Sequence, residues 1–266
     1  MSANEPLLLR TREGHVEILT LNRPQARNSL SEALLQEILG AFRAIETDDA
    51  VRAVIVTGAP PAFCAGHDLR EMSTHRDDAD GGRAYFERIF DFCCEVMQAV
   101  TASSKPVIAA VNGVATAAGC QLVASCDLAV AEPEAKFCTP GVSIGLFCST
   151  PMVPLSRAVA PKHALEMLLT GDMIGAEDAQ RIGLVNRVAD PGSALNDAKK
   201  LAHHIAGKSA KAIAMGKRLF HAQQTLPLAA AYAEASRVMT ANMMERDACE
   251  GIGAFLEKRE PKWEGL

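Results

Sequence analysis

Aromatic residues make up only 5% of the 266-residue chain, with one tryptophan and two tyrosines. Positive charge is also sparse: 27 Lys and Arg face 32 Asp and Glu, a net charge of −5 with no basic cluster. That balance argues against a nucleic-acid partner. No apolar run approaches the roughly 20 residues needed to cross a bilayer, so no membrane span is expected. The segment Met1 to Pro6 is short and polar, with neither a secretory apolar region nor an Arg-rich presequence. Gly113 to Gly119 lacks the Lys-Ser/Thr that would make it a Walker loop, and neither GxGxxG nor HExxH occurs. His203 and His204 are neighbours on an expected helix and point apart, so they read as solvated residues rather than a metal pair. The eight cysteines have no CxxC or disulfide-framework spacing. They read as reduced thiols, which points to the cytoplasm. A chain trimmed of a targeting sequence would read the same, so a mitochondrial address is equally compatible.

What the chain does have is apolar content, at 48%, enough for a large core in one globular unit. The stretch from Lys105 to Ala131 organises it. Val107 to Val111 fits a strand buried on both faces, Asn112-Gly113 breaks it, Ala115 to Ala124 suits a tightly packed helix, and Leu128 to Ala131 reads as the next strand. Thr116 to Cys120 carries almost no side-chain bulk. A strand-to-helix junction of that kind exposes N–H groups to incoming negative charge.

Before it, Leu7 to Arg12 and His15 to Leu21 read as a hairpin around Glu13-Gly14. Ser29 with Glu32 has a capping-box pattern, and Leu30, Leu34, Ile38, Phe42 and Ile45 form one helix face. Val51 to Thr57 is a strand, Phe63 to Leu69 a loop of small residues, Ser73 to Gly82 a mobile surface loop, and Tyr85 to Val100 a long helix. Phe137 to Pro154 reads as irregular, and the chain after Pro161 as mostly helical. The expected class is α/β with a helical C-terminal section, without an internal sequence repeat. The loops Phe63 to Leu69 and Gly113 to Gly119 both follow strands. If they converge, two N–H groups could share one oxygen as an oxyanion hole. Turn and packing demands also select small residues, so both readings stand on spacing alone.

The segments Ala62 to Met72, Ala109 to Gly113 and Ala117 to Leu122, with Cys126-Asp127, closely resemble the enoyl-CoA hydratase/isomerase (crotonase) family. Asn22 to Leu30 matches its N-terminal signature and Gly251 to Arg259 its C-terminal helix, so the resemblance covers nearly the whole chain. Ile144 to Pro151 is similar to one branch of it. The resemblance implies a spiral of ββα units over residues 1–195 and a helical trimerisation region over residues 196–266. It also implies a homotrimer or a dimer of trimers. The implied ligand is an acyl-CoA thioester, with coenzyme A arriving as part of the substrate and no separate cofactor or metal. The thioester oxygen would sit between the backbone N–H groups of His67 and Ala118. Ala65 would meet the adenine, and Ala26, Arg27 and Arg70 would lie along the CoA nucleotide, the two arginines having solvated surface roles as the alternative. Asp68 would shape its loop rather than react.

Two departures stand out. The glutamates that handle water in the family's hydratases align with Gln121, which cannot titrate, and with Gly141, which has no side chain. Hydration needs both proton transfers, so a poor hydratase is expected, with Gln121 limited to hydrogen bonding. Decarboxylation or thioester cleavage would suit an oxyanion hole without a strong base. A non-catalytic acyl-CoA-binding or assembly protein is the alternative. Replacement groups are few. The His67 ring is expected to point to the surface, with an inward ring of usable pKa as the alternative. Cys148 is expected to be a buried inert thiol unless a base lies near it, and Glu87 and Asp91 to be solvated helix charges, with the auxiliary catalytic roles the resemblance implies as the alternative. Met72, Phe86, Phe90, Phe147 and Met152 are expected in the core, with an acyl-pocket lining as the alternative.

Overall fold

The computed structural model describes residues 5–264; the first four residues of the polar N-terminal reading lie outside them. Alternating residues pair the opening hairpin, β1 (Leu8–Glu13) and β2 (Val16–Leu21), in antiparallel register around Gly14. From there one strand of each pair joins a first sheet and the next joins a second. Strands β3 (Ala53–Gly58), β5 (Val107–Val111) and β7 (Leu128–Ala131) run parallel to β2 in the first sheet. Strands β4 (Ala62–Cys64), β6 (Val114–Thr116) and β8 (Lys136–Cys138) run parallel in the second. The short β10 (Arg187–Val188) closes the six-stranded sheet and β9 (Ile174–Gly175) the four-stranded one. Each turn of the chain is thus a ββ pair followed by helix. The repeat is structural and leaves no periodic trace in the sequence.

The helices that follow these pairs are amphipathic or rich in small residues. Helix α1 (Glu32–Glu46) buries Leu34, Ile38, Phe42 and Ile45. Leu30 is buried too, but it precedes the helix and bridges to His67 in parallel fashion. The expected capping box is displaced: Ser31 is the cap, its Oγ accepting from Leu34 N. The physical reason is competition. Arg23 donates to the Ser29 carbonyl at 2.6 Å and to its hydroxyl at 3.3 Å, so Ser29 is already engaged.

Two regions expected to be irregular are built. Ser73 to Gly82 ends α2 (Leu69–Thr74) and passes through a short 3-10 turn. It is tied down by Asp80 accepting from Gly82 N and Ala84 N, and by His75 stacked on Tyr85 at 3.6 Å. Helix α3 (Arg83–Ala102) follows. Residues 137–154 contain β8, a 3-10 turn over Pro140–Ile144, and the start of α5 (Ser149–Ala158). Pro151 falls in the first turn, where a missing N–H costs nothing, and burial of Pro151 and Leu155 offsets the single bond lost at Pro154. The expected helix from Ala115 is shorter than the pattern suggested: Val114 to Thr116 pair with β8, and α4 (Ala118–Ser125) starts after them.

The remaining helices are α6 (Pro161–Thr170), α7 (Ala176–Arg181), α8 (Ala194–Ala206), α9 (Ala210–Gln223), α10 (Leu228–Met243) and α11 (Arg246–Glu257). The central strands β3 and β5 of the first sheet are buried on both faces, as expected for Val107 to Val111. Val107, Ala109 and Val111 face the main core, while Ile108 and Ala110 face the alanine stripe Ala194, Ala198, Ala202 and Ala206 of α8. The 195/196 boundary expected from the resemblance therefore falls inside a helix that covers the sheet. By contrast α9 and α10 bury no residue within this chain. Among the described residues no helix is long and apolar enough to cross a membrane.

Candidate active site

The two small-residue loops do meet. Gly119, in the first turn of α4, lies so close to β4 that a Cβ there would stand 2.1 Å from the Cys64 carbonyl oxygen. Gly66, with φ +86°, lies so close to the other loop that a Cβ would stand 2.9 Å from Ala117 Cβ and 3.4 Å from Ala118 N. Only hydrogen fits at either position, which is why this junction carries glycine. Ala117 adds strain of its own, holding φ 49° and ψ −117° as a non-glycine residue. Such strain persists only where the surroundings over-determine it. Here the Ala117 N–H donates to the Cys138 carbonyl at 3.0 Å and its carbonyl accepts from Gln121 N at 2.9 Å.

Backbone geometry leaves two donors at this junction. In the Leu30–His67 bridge, Leu30 N donates to Gly66 O and Asp68 N donates to Leu30 O. The parallel pattern engages the residues on either side of His67 and turns the His67 N–H away. Ala118 is the first residue of α4, so its N–H has no partner in the preceding turn. Among the described residues neither N–H donates a hydrogen bond within the chain.

The loop around Gly66 is held from behind. Asp68 caps α2, accepting from Arg70 N and Glu71 N, and pairs with Arg23 at 2.8 Å. Burial pushes the Asp68 carboxyl up, but the Arg23 hydrogen bond and the two backbone donors outweigh it and hold the group below the usual carboxylate range. Asn28, in the left-handed region at φ 56°, is fully buried and donates to the Ala59 and Ala62 carbonyls. Ala65 N donates to Arg27 O at 3.0 Å, which sets Ala65 beside Ala26 and Arg27. Both Arg27 and Arg70 are solvent-exposed.

The positions beside the junction differ from these in kind. The His67 ring does not face the surface, contrary to the expectation from the sequence. It turns inward, edge-on to Phe90 at 5.5 Å, with both ring nitrogens buried and unpartnered within the chain. Burial lowers its pKa to about 4, so the imidazole is neutral near pH 7. Gln121 lies three residues after Ala118, on the same face of α4. It is 2% exposed, and its Oε1 has no partner. Thr139, next to the Cys138 carbonyl that ties Ala117, is fully buried with an unpartnered hydroxyl. Each such orphan costs about 1–3 kcal/mol in a folded chain.

A Cβ on Gly141 would stand 2.9 Å from both Cys148 Sγ and the Leu146 carbonyl. The thiol occupies the room a side chain would need. Cys148 is buried, no acid or base hydrogen-bonds it among the described residues, and burial raises its pKa. Glu87 pairs with Arg83 on the outside of α3, and Asp91 is exposed. Met72, Phe86, Phe90 and Met152 pack against the core, while Phe147 is exposed. His203 and His204 are exposed on α8. Sequence reasoning missed Arg23, Asn28, Ala117 and Thr139. A buried Asn in a turn has a recognisable signal, whereas the strain at Ala117 and the orphaned Thr139 hydroxyl exist only in three dimensions.

The enoyl-CoA hydratase/isomerase family model matches residues 11–266. Enoyl-CoA hydratase domain-containing protein 3, mitochondrial, from Rattus norvegicus is 42% identical over 98% of this chain and 85% of that protein. The crystal structure of an enoyl-CoA hydratase from Mycobacterium smegmatis is 50% identical, with a TM-score of 0.92 over 97% of this chain and 99% of that one. The crystal structure of human enoyl-CoA hydratase domain-containing protein 3 is 40% identical, with a TM-score of 0.91 over 97% of this chain and 100% of that one. The paired-sheet spiral and the glycine-closed junction therefore have a family: the chain belongs to the enoyl-CoA hydratase/isomerase family and resembles enoyl-CoA hydratase domain-containing protein 3 within it.

Proposed function

We propose that this chain is an acyl-CoA thioester enzyme that stabilises a thioester enolate with the backbone N–H groups of His67 and Ala118, and that it is a weak hydratase. The observation that supports the reading is the close approach of the two loops at Gly66 and Gly119, with an undonated N–H on each side of it, at His67 and at Ala118. Preorganised donors aimed at a developing oxyanion are each worth about 10²–10³ in rate in other enzymes. Ala65, Ala26, Arg27 and Arg70 form the CoA-binding edge, and Asp68 holds its loop.

Against hydration stand Gln121, which has no proton to exchange, and Gly141, whose side-chain space Cys148 fills. Reactions driven by the substrate itself, such as decarboxylation or thioester cleavage, need the hole but no strong base. The same two positions favour the second reading, a non-catalytic acyl-CoA-binding protein. Loss of the enoyl absorbance of crotonyl-CoA is expected to run orders of magnitude below that of a two-glutamate relative, while calorimetry detects acyl-CoA binding. Hydration at near-diffusional efficiency would overturn the weak-hydratase reading. Failure to bind any acyl-CoA would overturn both readings.

The assembly follows from α9 to α11. Phe220, Leu228, Tyr232, Met239 and Phe255 are all more than half exposed, which a trimer or dimer of trimers would cover. Light scattering is expected to give three or six times the 28.3 kDa chain. The free thiols suit a cytoplasmic or mitochondrial setting, and domain-containing protein 3 from rat carries the mitochondrial designation.

A further inference from the structure

Among the described residues seven buried side-chain nitrogen and oxygen atoms have no partner within the chain, and four of them belong to His67, Gln121 and Thr139. All three residues flank one junction. His67 follows Gly66, which packs on Ala117 and Ala118; Gln121 N bonds Ala117 O; and Thr139 follows the Cys138 carbonyl that receives Ala117 N–H. The concentration is selective, since buried polar groups are normally satisfied. A hydrocarbon acyl chain entering here would leave every one of them unpaired. An oxygen on that chain near the thioester would meet a donor from neutral imidazole or carboxamide, or an acceptor from the other ring nitrogen, Gln121 Oε1 or the Thr139 hydroxyl.

We propose that the His67 side chain, with Gln121, determines acyl specificity by hydrogen-bonding an oxygen substituent on the acyl chain, so that the site selects hydroxyacyl- or oxoacyl-CoA over enoyl- and saturated acyl-CoA. This role is separate from the His67 backbone N–H and rests on the acyl-CoA reading above. His67 acts as a neutral group near pH 7, because ring burial disfavours its charged form. It therefore donates from one nitrogen and accepts at the other, and does not attract an anion by charge. Ring packing on Phe90 fixes its orientation, and a fixed donor discriminates more sharply than a mobile one.

The test is calorimetric titration of the full chain with 3-hydroxybutyryl-CoA, acetoacetyl-CoA, crotonyl-CoA and butyryl-CoA. The two oxygenated ligands are expected to bind at least about tenfold more tightly than butyryl-CoA, the discrimination of a site left with unpaired polar groups. His67→Phe keeps an aromatic ring against Phe90 and is expected to reduce the ratio to near unity, while His67→Gln retains most of it. Equal binding of butyryl-CoA and 3-hydroxybutyryl-CoA by the native chain would overturn the proposal and leave the acyl-CoA reading intact. Binding of none of the four would overturn that reading as well. A second measurement does not depend on the variants folding. The ring nitrogen shifts of His67 in 15N-labelled native protein are expected to move with 3-hydroxybutyryl-CoA and stay put with butyryl-CoA, and equal movement with both would reject the assigned contact.

Discussion

Two sides of one junction differ in how tightly they are specified. On the side of Gly66, Ala117 and Gly119, backbone meets backbone: no Cβ fits at either glycine, Ala117 is held at positive φ, and Asn28 and Asp68 brace the loop from behind. On the side of Gln121, Gly141 and Cys148 the variable parts are side chains: Gln121 Oε1 has no partner, and Cys148 Sγ, with the Leu146 carbonyl, fills the space beside Gly141. A backbone device resists change because altering it means altering the fold. A side-chain device beside it can be rebuilt by a few substitutions without disturbing the strands. The difference teaches that the backbone closure of the junction and the side chains beside it are separable features of this architecture.

The comparison breaks most completely at Gly119. Gly119→Val places bulk where even a Cβ meets the Cys64 carbonyl, and overpacking of this kind costs about 1–3 kcal/mol or more. A denaturation midpoint well below that of the native chain is expected, together with loss of acyl-CoA binding. An unchanged midpoint would show that the junction is looser than its contacts imply.

Rebuilding the other side is the next largest effect. Gly141→Glu alone is expected to destabilise the chain without gain, because Cys148 Sγ and the Leu146 carbonyl already fill the space. The triple change Gln121→Glu, Gly141→Glu and Cys148→Ala supplies both carboxylates and vacates the thiol, and general acid–base groups are each worth about 10²–10⁴ in rate. Crotonyl-CoA hydration is expected to rise at least about tenfold in that variant. No rise would mean that the void does not face the reacting carbons.

A pH titration of stability sharpens the contrast more gently. The pKa of His67 is depressed by burial to about 4, below its unfolded value of about 6.5. Between those values the unfolded chain binds more protons, so stability rises with pH and is lost as pH falls through this window. The contribution is at most about 3 kcal/mol. His67→Phe is expected to flatten that part of a pH–midpoint curve, and curves that superimpose would place the ring in water. The smallest effect belongs to Glu87. Its exposed pairing with Arg83 predicts a change within about 0.5 kcal/mol for Glu87→Gln, and unaltered acyl-CoA turnover.

The alternating class and the strands β3, β5 and β7 were legible as short apolar runs bounded by turn residues, and helices α9 to α11 as long stretches of helix-forming residues between breaks. The family motif in Ala62 to Met72 and Ala117 to Leu122 likewise pointed to the loops that meet, although the steric demand on Gly66 and Gly119 comes from each other's segment of the chain. The short second-sheet strands were not legible: three residues carry too little pattern, and Val114 to Thr116 joins a sheet only because β4 and β8 lie on either side. Nor was the cap at Ser31, since the competing claim on Ser29 comes from Arg23 across a folded loop.

By itself the sequence determined the succession of elements, the small residues at the junction and the presence of Gln121 and Gly141 beside it, all of which are properties of residue type and order. Tertiary structure decided that the His67 ring turns inward, that Cys148 and the Leu146 carbonyl close the space at Gly141, and that His67, Gln121 and Thr139 keep buried polar atoms without partners. These depend on packing between segments far apart in the chain, and only the closed fold brings those segments together.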